Sequence, residues 1–432
     1  MYSLYSFFYS IYVIWSLPFF LFNAEKRNSI CERFGFIKKS KIDSLKESNP
    51  IWIHAVSVGE VRLALQLIDY IKAEISDMTI IMTVTTISGR QIAQSASAGS
   101  MQLFYSPLDF AWVVKKFLIS IKPRLLIIME TELWPNLLMQ VKSKGVESII
   151  VNGRISNKAW SKYSRIKPLM KRVLRPLSLC LAQSQNDARR FMALGLDASK
   201  VKVAGNIKYD TVKPEINEQV NIALKKFGGS AQGKDKAKMV VCASTHHDEE
   251  EQIVQAWINR SDELGTAKLL IAPRHIHRCG AVSNMLQRYE IKCVLYSQIT
   301  QGLELNLISD AKVLILDEWG LLNQIYGFAD IIYIGGSLVA WGGHNLAEAA
   351  IWRKPLLHGP HMHNFEDMKE VFLENQASCK VMHSSGFIDE VINLLSNQQR
   401  SDTLAKNAED TVTSNSGAAS SCLEEIKKCL YD

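Results

Sequence analysis

Three carboxylates stand directly after apolar, strand-like segments, where they could exchange a proton with a substrate. Glu60 ends "SVGE", which follows "IWIHAV", and Glu130 and Glu132 lie in "METELWPN", which follows "RLLII". The dipole of a helix start keeps a carboxylate ionised while burial raises its pKa, so Glu60 is a candidate general base. Two carboxylates this close invite a charge-coupled role for Glu130 and Glu132. The alternative for all three is an ordinary acidic residue at a helix start.

A glycine-rich stretch, "GGSLVAWGGHNLAEAA" at 335–350, is a candidate anion site. It precedes a predicted helix, and the unpaired amide groups of a helix start suit a phosphate. Asn345 and Glu348 lie one helical turn apart, so both can face one pocket, where the carboxylate would accept from a sugar diol. The alternative is a capped amphipathic helix that buries its alanines.

Two cations could complete such a site. Arg274 in "IAPRHIHR" follows an apolar strand, and its planar guanidinium suits bidentate phosphate binding. Lys208 in "GNIKYD" follows the last strand of the first half of the chain, where an ammonium could meet a carboxylate or phosphate. A solvated surface lysine is the alternative for Lys208. The chain carries 50 Lys and Arg against 43 Asp and Glu, a mild basic excess that fits an anionic partner.

Several classes of function are disfavoured by the composition. No Walker A lysine accompanies the glycines, which argues against nucleoside triphosphate hydrolysis. No aromatic RNA-binding pattern or zinc-finger spacing occurs, so we expect no nucleic acid partner. The eight cysteines form no C-x-x-C pair, which argues against a zinc site or a disulfide framework and favours a reducing compartment. His358, His361 and His363 have a loop spacing that favours pocket-wall residues over metal ligands.

Short apolar segments that alternate with helical patterns must position these residues. The alternation runs from "IWIHAV" to "VKVAGN" and again from "MVVCAS" to "PLLHGP", and it predicts parallel, doubly wound sheets with early helices at 59–73, 87–96, 133–144 and 185–194. A polar break at 211–237 separates two α/β domains. Ligands of such sheets collect at the carboxyl ends of the strands, so we expect the site in the cleft between the domains.

Two segments indicate contact with a membrane. Residues 1–22 carry no charged side chain and match the length of a bilayer-spanning helix, and basic residues follow at once. A cleaved signal peptide is the rival, but a basic start and a small-residue cleavage site are lacking. From Arg154 to Arg175 the chain holds eight Lys or Arg and no acid, with Trp160 and Tyr163 between them. This predicts a basic helical face with interfacial aromatic residues, suited to anionic lipid head groups.

The motifs together resemble the Kdo transferases, the 3-deoxy-D-manno-octulosonic acid transferases of lipopolysaccharide synthesis. The resemblance rests on "SVGEV", "METELWPN", "NGRIS", "GNIKYD", "APRH", "GGSLV.WGGHN..EAA" and "GPH..NF", in that order over nearly the whole chain, and on "ERFGF" after the apolar N-terminus. It implies a GT-B fold, two Rossmann-like domains facing across a cleft, with an N-terminal membrane-anchoring helix. The implied domains are an anchor at 1–22, an acceptor-binding domain at 23–210 and a CMP-Kdo-binding domain at 211–432, whose final helix could pack back on the first domain.

The resemblance also implies a reaction and its residues. Kdo would pass with inversion from CMP-Kdo to the lipid A precursor, lipid IVA, at the cytoplasmic face of the inner membrane, without cofactor or catalytic metal. Glu60 would take the proton of the acceptor hydroxyl, and Glu130 and Lys208 would stabilise the transition state. The residues implied to bind CMP are Pro273, Arg274, Trp319, Gly320, Leu321, Asn345, Leu346, Ala347 and Glu348.

One position departs from the family pattern. The family has Gly-Glu-Leu at the turn before the glycine-rich stretch, whereas this chain reads "DEWGLLNQ", with Leu321 in place of the glutamate and Glu318 three residues earlier. Two other functions stay open on the sequence. One is a GT-B glycosyltransferase or epimerase that uses a UDP-sugar, and the other is a membrane-tethered lipid- or nucleotide-binding protein without catalysis.

Overall fold

The computed structural model describes residues 2–21, 24–45, 48–97, 101–228 and 237–431. It divides the chain into two compact units, one formed by residues 1–207 with 417–432 and the other by residues 208–416. Each unit is an α/β structure built on its own seven-stranded parallel sheet. The predicted fold class of two α/β domains with parallel sheets is thereby confirmed. The structure describes most of the predicted polar break at 211–237, but residues 229–236 lie outside the described part of the chain.

The first unit is organised around a sheet with the strand order β3-β2-β1-β4-β5-β6-β7. Its strands are β1 (Ile51–Ala55), β2 (Ile80–Val84), β3 (Gln102–Tyr105), β4 (Leu125–Met129), β5 (Glu147–Gly153), β6 (Leu179–Ala182) and β7 (Val201–Val203). The order reverses between β1 and β4, which pair in parallel. Their carboxyl ends therefore form a topological switch point, the place where open α/β sheets bind ligands.

Helices cover both faces of this sheet. They are α1 (Tyr2–Leu21), α2 (Ala24–Arg33), α3 (Lys39–Asp43), α4 (Val58–Glu74), α5 (Ile87–Ser97), α6 (Ala111–Ile121), α7 (Pro135–Ser143), α8 (Asn157–Tyr163), α9 (Lys167–Leu174) and α10 (Gln185–Ala193). Along β1, Ile51 and Ile53 pack in the core under α4, and Trp52 packs on the opposite face against Phe117 of α6. This burial on both faces explains why the central strands are continuous apolar runs.

The second unit has a sheet with the strand order β10-β11-β9-β8-β12-β13-β14. The strands are β8 (Met239–Thr245), β9 (Lys268–Pro273), β10 (Cys293–Leu295), β11 (Val313–Ile315), β12 (Ile331–Ile334), β13 (Leu356–His358) and β14 (Cys379–Lys380). The helices are α11 (Glu218–Gly228), α12 (Glu249–Asn259), α13 (Ser261–Leu264), α14 (Cys279–Arg288), α15 (Tyr296–Thr300), α16 (Leu305–Asp310), α17 (Leu322–Ile325), α18 (Ala347–Ala350), α19 (Glu366–Glu374), α20 (Ser384–Ser396) and α21 (Gln398–Asn415).

The last helix, α22 (Ala418–Tyr431), belongs to the first unit. It buries Ala418, Cys422 and Ile426 in the same core as α4. Gly205 lies beneath it with a φ of 94°, and a Cβ built at Gly205 would come within 3.2 Å of the Ala418 Cβ. Small residues at both positions therefore allow the helix to return to this sheet.

Three local features differ from the sequence predictions. The helix after the glycine-rich stretch has only four residues, Ala347–Ala350. The basic segment is not one helix, because a 3-10 turn at Ser164–Ile166 separates α8 from α9. Trp160 and Tyr163 pack against the core rather than forming an interfacial aromatic face. Within the described chain, no helix has both the length and the apolar character required to cross a bilayer.

Candidate active site

Glu60 lies in the first turn of α4, directly beyond the carboxyl end of β1. Ser57 caps this helix, and its hydroxyl accepts a hydrogen bond from the Glu60 amide at 3.2 Å. The Glu60 carboxylate in turn accepts one from the Val56 amide at 2.8 Å. This reciprocal pairing resembles a capping box, which fixes the direction of the side chain. Glu60 therefore helps to cap the start of α4, as the alternative to a catalytic role predicted. The same hydrogen bonds hold it in a buried position, where it is 6% exposed.

The environment of Glu60 gives it the proton affinity of a general base. Burial raises the pKa of its carboxyl to about 7, the hydrogen bond from Val56 opposes this, and the negative charges of Glu132 and Glu130 raise it further. Burial therefore outweighs the effect of the helix start. A base whose pKa lies near the working pH is both ionised and able to hold the proton it takes.

Glu130 and Glu132 follow β4, the strand next to β1. Glu130 has a φ of 55°, a left-handed conformation that is uncommon for a non-glycine residue, and its amide donates to the Val151 carbonyl at 2.9 Å. The Glu132 carboxylate accepts a hydrogen bond from the indole nitrogen of Trp134 at 2.9 Å, and burial raises its pKa. The unit thus brings three carboxylates close enough to influence one another at its switch point.

A buried polar network of Trp52, Thr83 and His54 contacts Trp134 through the His54 ring. The hydroxyl of Thr83 accepts from the Trp52 indole at 2.8 Å and lies 2.8 Å from Nδ1 of His54. The Thr83 proton can then be donated to Nδ1, which places the His54 proton on Nε2. The His54 ring meets Trp134 edge to face at 4.9 Å, and burial lowers the pKa of this imidazole to about 3, so it is neutral.

The third predicted catalytic residue, Lys208, belongs to the second unit, whereas Glu60 and Glu130 belong to the first. Lys208 lies in a short 3-10 turn, Ile207–Tyr209, and its ammonium lies 5.6 Å from the centre of the Phe365 ring. On the first-unit side, the same turn is held by Asn152, whose side-chain oxygen accepts from the Ile207 amide at 3.0 Å. Lys208 is therefore half-buried on a fixed turn rather than a mobile surface lysine.

In the second unit, the glycine-rich loop folds around an internal carboxylate. Glu249, which is fully buried at the start of α12, accepts hydrogen bonds from the amides of Gly336, Ser337 and Leu338 at 2.6, 3.1 and 3.0 Å. The Tyr333 hydroxyl donates to it at 2.6 Å and the His246 amide at 3.2 Å. The amides of Gly336, Ser337 and Leu338 are thus occupied by a carboxylate of the protein itself.

The glycines of this loop are explained by close packing. A Cβ at Gly335 would come within 2.7 to 2.8 Å of the Ala243 and Ser244 carbonyl oxygens. Gly342 and Gly343 have φ values of 95° and 69°, and a Cβ at Gly343 would meet the Met362 sulfur at 2.1 Å. From Gly335 to Leu338 the backbone amides are already paired within the protein, so this part of the stretch offers no unpaired amides, and the predicted approach of a phosphate to the other glycines stays a prediction. The loop needs glycine to reach its own neighbours.

His246, which follows β8, stacks with two rings of the glycine-rich loop, Trp341 and His344. His246 stacks on Trp341 with the ring centres 4.8 Å apart, and on His344 at 5.4 Å. The two Nε2 atoms of His246 and His344 lie 3.1 Å apart, which requires one ring to donate and the other to accept. Burial lowers the pKa of His246 to about 4, and the nearby charges of His275, Arg274 and Arg278 lower it further.

The predicted nucleotide-binding residues lie at three places in the second unit. Pro273 ends β9, and the amide of Arg274 donates to the Thr245 carbonyl at 2.9 Å. Asn345 donates to the Glu348 carboxylate at 3.1 Å and accepts from the Ala347 amide at 3.0 Å, with Leu346 buried between them. The turn formed by Trp319, Gly320 and Leu321 follows β11, with Trp319 66% exposed and Gly320 at a φ of 85°. Glu318, the suggested substitute for the family glutamate, is exposed.

The three clustered histidines differ in their exposure. His358 is fully buried at the end of β13 with Nδ1 2.8 Å from the Gly359 carbonyl, whereas His361 and His363 are exposed. Burial lowers the pKa of His358 to about 4. Across the described residues, no three His, Cys, Asp or Glu side chains are placed to hold a metal ion.

Two functional features were not predicted from the sequence. Glu249 begins the run "EEEQ", which is typical of a solvated helix start. His246 was also overlooked, although "THHDEEEQ" follows the strand "VVCAS" just as "SVGE" follows "IWIHAV". That shared position after a central strand was the available signal for both residues.

Comparison with known proteins gives a consistent result for the family. A family model described as 3-deoxy-D-manno-octulosonic-acid transferase (kdotransferase) matches residues 28–211. The chain is 29% identical over 405 residues to the 3-deoxy-D-manno-octulosonic acid transferase of Haemophilus influenzae, covering 94% of this chain and 92% of that protein. It is 29% identical over 389 residues to the transferase of the same name from Chlamydophila psittaci, covering 87% and 86%.

Solved structures agree at the level of the fold. The crystal structure of a glycosyltransferase from Rickettsia africae superposes with a TM-score of 0.57 at 13% identity, covering 89% of this chain and all of that one. The relatives match along nearly their whole length, and the family model spans the unit that carries Glu60 and Glu130. The chain is therefore similar to the Kdo transferases over nearly its whole length.

Proposed function

We propose that the protein transfers Kdo from CMP-Kdo to the lipid A precursor, lipid IVA, with inversion and without a catalytic metal. Similarity to the Kdo transferases supports the transfer of Kdo. The single observation that carries the mechanism is Glu60, a buried carboxylate at the switch point of the first sheet whose pKa is raised to about 7. This is the property that a general base for a sugar hydroxyl requires at neutral pH.

In the proposed reaction the hydroxyl oxygen of the acceptor attacks the anomeric carbon of Kdo. The bond between that carbon and the CMP phosphate breaks, its electron pair leaves with CMP, and the hydroxyl proton passes to the Glu60 carboxylate. Attack opposite the leaving group inverts the anomeric centre, as in inverting glycoside hydrolysis. Glu130 and Lys208 would stabilise the transition state, and an ammonium is suited to the carboxylate that Kdo carries.

The second unit would bind the donor. Arg274 offers a guanidinium beyond β9, which suits the phosphate of CMP as its negative charge grows during departure. The Asn345 to Glu348 segment and the Trp319 to Leu321 turn would complete the CMP site. Since Glu249 already occupies the amides of Gly336 to Leu338, we assign these amides to loop positioning rather than to the phosphate.

We also propose that the protein works at the cytoplasmic face of the inner membrane, held by residues 1–22 and by the basic segment 154–175. The face of α1 formed by Phe7, Phe8, Ile11, Ile14 and Trp15 is 51% to 83% exposed. In the basic segment, the exposed cations are Lys158, Lys162, Arg165, Lys167, Lys171, Arg172 and Arg175. Exposed apolar side chains and exposed cations in one unit together favour an anionic lipid surface.

A transfer assay tests the reaction. CMP-Kdo and a tetra-acylated, bis-phosphorylated lipid A precursor are incubated with the protein in EDTA, and the products are weighed by mass spectrometry. We expect the wild type to add Kdo, and Glu60→Gln to lose about 10²-fold or more in kcat/KM. Glu74→Gln, at the exposed end of the same helix, is the matched control and should keep full activity.

Each result separates one part of the proposal from the others. Loss of activity in EDTA that added divalent metal restores would overturn the metal-free mechanism. A folded wild type that binds CMP but gives no product would overturn the acceptor. Transfer from a UDP-sugar in place of CMP-Kdo would overturn the donor and favour a UDP-sugar glycosyltransferase.

A further inference from the structure

A cavity of the first unit lies between α1 and the loops beyond β2 and β3. Its volume is about 300 Å³. Tyr5, Tyr9, Tyr12 and Val13 line it from α1, at positions that recur once per helical turn. The proposed reaction makes no use of this cavity, which we call the tyrosine pocket.

Specific contacts hold the wall of the tyrosine pocket in place. The amide of Asp109 donates to the Tyr9 hydroxyl at 3.3 Å, and the Asn136 side chain donates to the Ser6 hydroxyl at 3.1 Å. Asp109 is fully buried, and its carboxylate accepts from the Asn136 and Leu137 amides at 3.1 and 2.7 Å. The inner face of α1 is thus docked on the start of α7, and the pocket is a formed part of the unit.

The far wall connects the tyrosine pocket with the candidate catalytic carboxylates. Trp134 lines the pocket, and its indole nitrogen donates to Glu132, whose charge raises the pKa of Glu60. Phe34 and Leu108 complete this wall as apolar side chains. A molecule that fills the pocket would therefore lie one side chain away from the proposed base cluster.

The chemistry of the lining indicates an amphiphile. Most of the lining is aromatic or aliphatic, yet Arg33 lies in the wall at 6% exposure, with its guanidinium 4.6 Å from the centre of the Tyr105 ring and hydrogen-bonded to the Thr85 carbonyl at 2.5 Å. A cation set in an apolar wall favours a ligand that combines hydrocarbon with negative charge. On its other side, α1 exposes Ile14 and Trp15, so the helix presents apolar side chains both to the pocket and to the outside.

We infer that the tyrosine pocket binds one acyl chain of the lipid acceptor beside the proposed base. The inference rests on the proposed function for the identity of the acceptor. A cavity of about 300 Å³ is at the small end of ligand pockets, which fits a single chain rather than several. The chain would hold the sugar hydroxyl near Glu60, so the pocket would act on acceptor binding.

Filling the pocket tests the inference. In Val13→Trp a larger side chain takes the space of the acyl chain, and Ile119→Trp adds a similar bulk on the surface of α6, where Ile119 is 55% exposed. We expect KM for a tetra-acylated acceptor to rise about tenfold or more in Val13→Trp, since each buried methylene contributes about fourfold in affinity. KM for the same acceptor without acyl chains should stay unchanged, and Ile119→Trp should match the wild type for both.

A binding measurement separates this inference from the proposed function. Calorimetric titration of the full chain with dodecyl phosphate and with butyl phosphate needs no transfer reaction. The wild type should bind the longer chain at least tenfold more tightly, and Val13→Trp should lose that preference. If Val13→Trp does not fold, Leu108→Trp fills the same pocket from the opposite wall.

The outcomes are distinct. Equal affinity of the wild type and the folded pocket variant for dodecyl phosphate overturns the pocket, whether or not Kdo is transferred. An unchanged KM for the acylated acceptor in both pocket variants also overturns it. A wild type that binds dodecyl phosphate in the pocket but transfers Kdo to neither acceptor overturns the proposed function while supporting the pocket.

Discussion

The carboxylate of Glu249 and the amide of Gly336 are joined by a hydrogen bond of 2.6 Å, although 87 residues separate them in the chain. With Ser337 and Leu338 this makes three consecutive amides that point at one buried anion. Such a concavity of amide groups is the arrangement by which proteins bind phosphate. Here the second unit supplies the anion itself, and the loop before His344 and Asn345 is thereby fixed without a ligand.

Glu249→Gln should therefore destabilise the second unit. The amide side chain keeps the shape of the glutamate but loses the charge and one acceptor oxygen, so buried N–H groups lose their partner. We expect the free energy of unfolding to fall by about 3 kcal/mol. Urea denaturation followed by circular dichroism measures this. Glu251→Gln, two residues along α12 and exposed, should change stability by less than about 0.5 kcal/mol. Equal stabilities of the two variants would show that the carboxylate does not organise the loop.

The packing explanation of the glycines gives a second prediction. Gly335→Ala would press a methyl group against two backbone carbonyls, which cannot move as a side chain could, and we expect a loss of about 2 kcal/mol or more in unfolding free energy. Gly386→Ala is the control, because Gly386 lies in α20 with no atom within 4 Å of the added Cβ. Alanine there should stabilise by up to about 1 kcal/mol. A neutral Gly335→Ala would contradict the packing explanation.

The fold was largely predictable because the central strands are buried on both faces. The predicted apolar segments each contain a strand, whereas β3, β10 and β14 were not predicted; the segments are "IWIHAV", "TIIMTVTT", "RLLIIME", "ESIIVNG", "LSLCLAQS", "VKVAGN", "MVVCAS", "KLLIAP", "KVLILD", "IIYIGGS" and "PLLHGP". Each of these three is an edge strand of two to four residues. An edge strand pairs on one side only and needs less apolar surface, which weakens the signal in its sequence. The fourth edge strand, β7, was nevertheless predicted, so an edge position does not remove that signal.

The candidate site was predictable where it depends on strand ends and not where it depends on distant loops. Glu60 and Glu130 were found because parallel strands bring their carboxyl ends to one edge. Glu249 was not predicted, because its burial depends on a loop that lies 87 to 89 residues further along the chain. No local sequence pattern encodes that contact. The tyrosine pocket likewise needs α1 to dock on residues near Asp109, a contact across 100 residues.

The raised pKa of Glu60 predicts how activity depends on pH. A general base must be ionised, so kcat/KM should fall about tenfold for each pH unit below pH 7 and level off above it. Transfer rates measured from pH 5 to 9 at low acceptor concentration test this. In Glu60→Gln the step near pH 7 should vanish along with most of the activity. A wild-type profile that stays flat down to pH 5 would exclude Glu60 as the base.

Stability measurements show whether Glu60→Gln loses activity by unfolding. The folded protein holds the Glu60 proton up to about pH 7, whereas an unfolded glutamate releases it near its ordinary value of 4.5. The wild type therefore loses stability as the pH rises through this window, and the loss is complete above pH 7. Glutamine does not ionise, so Glu60→Gln should be more stable than the wild type by about 1–3 kcal/mol at pH 8, with the difference closing by pH 5.

The exposed face of α1 predicts how the protein binds lipid. Trp15 is 83% exposed and Phe8 61%, and both faces of the helix are apolar, which is unusual for a helix at a water-exposed surface. Trp15→Ser with Phe8→Ser should lower binding to anionic vesicles by roughly tenfold for each side chain removed, because each buries a large apolar area. Sedimentation with vesicles of mixed anionic and zwitterionic lipid measures the bound fraction.

Leu305→Ser, which removes a 61% exposed apolar side chain from the second unit, should leave binding unchanged. Binding of the wild type should weaken with added salt and with purely zwitterionic lipid, since the cations of 154–175 contribute by charge. Equal loss of binding in Leu305→Ser and the double variant would show that α1 contributes only general hydrophobicity and is not the membrane contact.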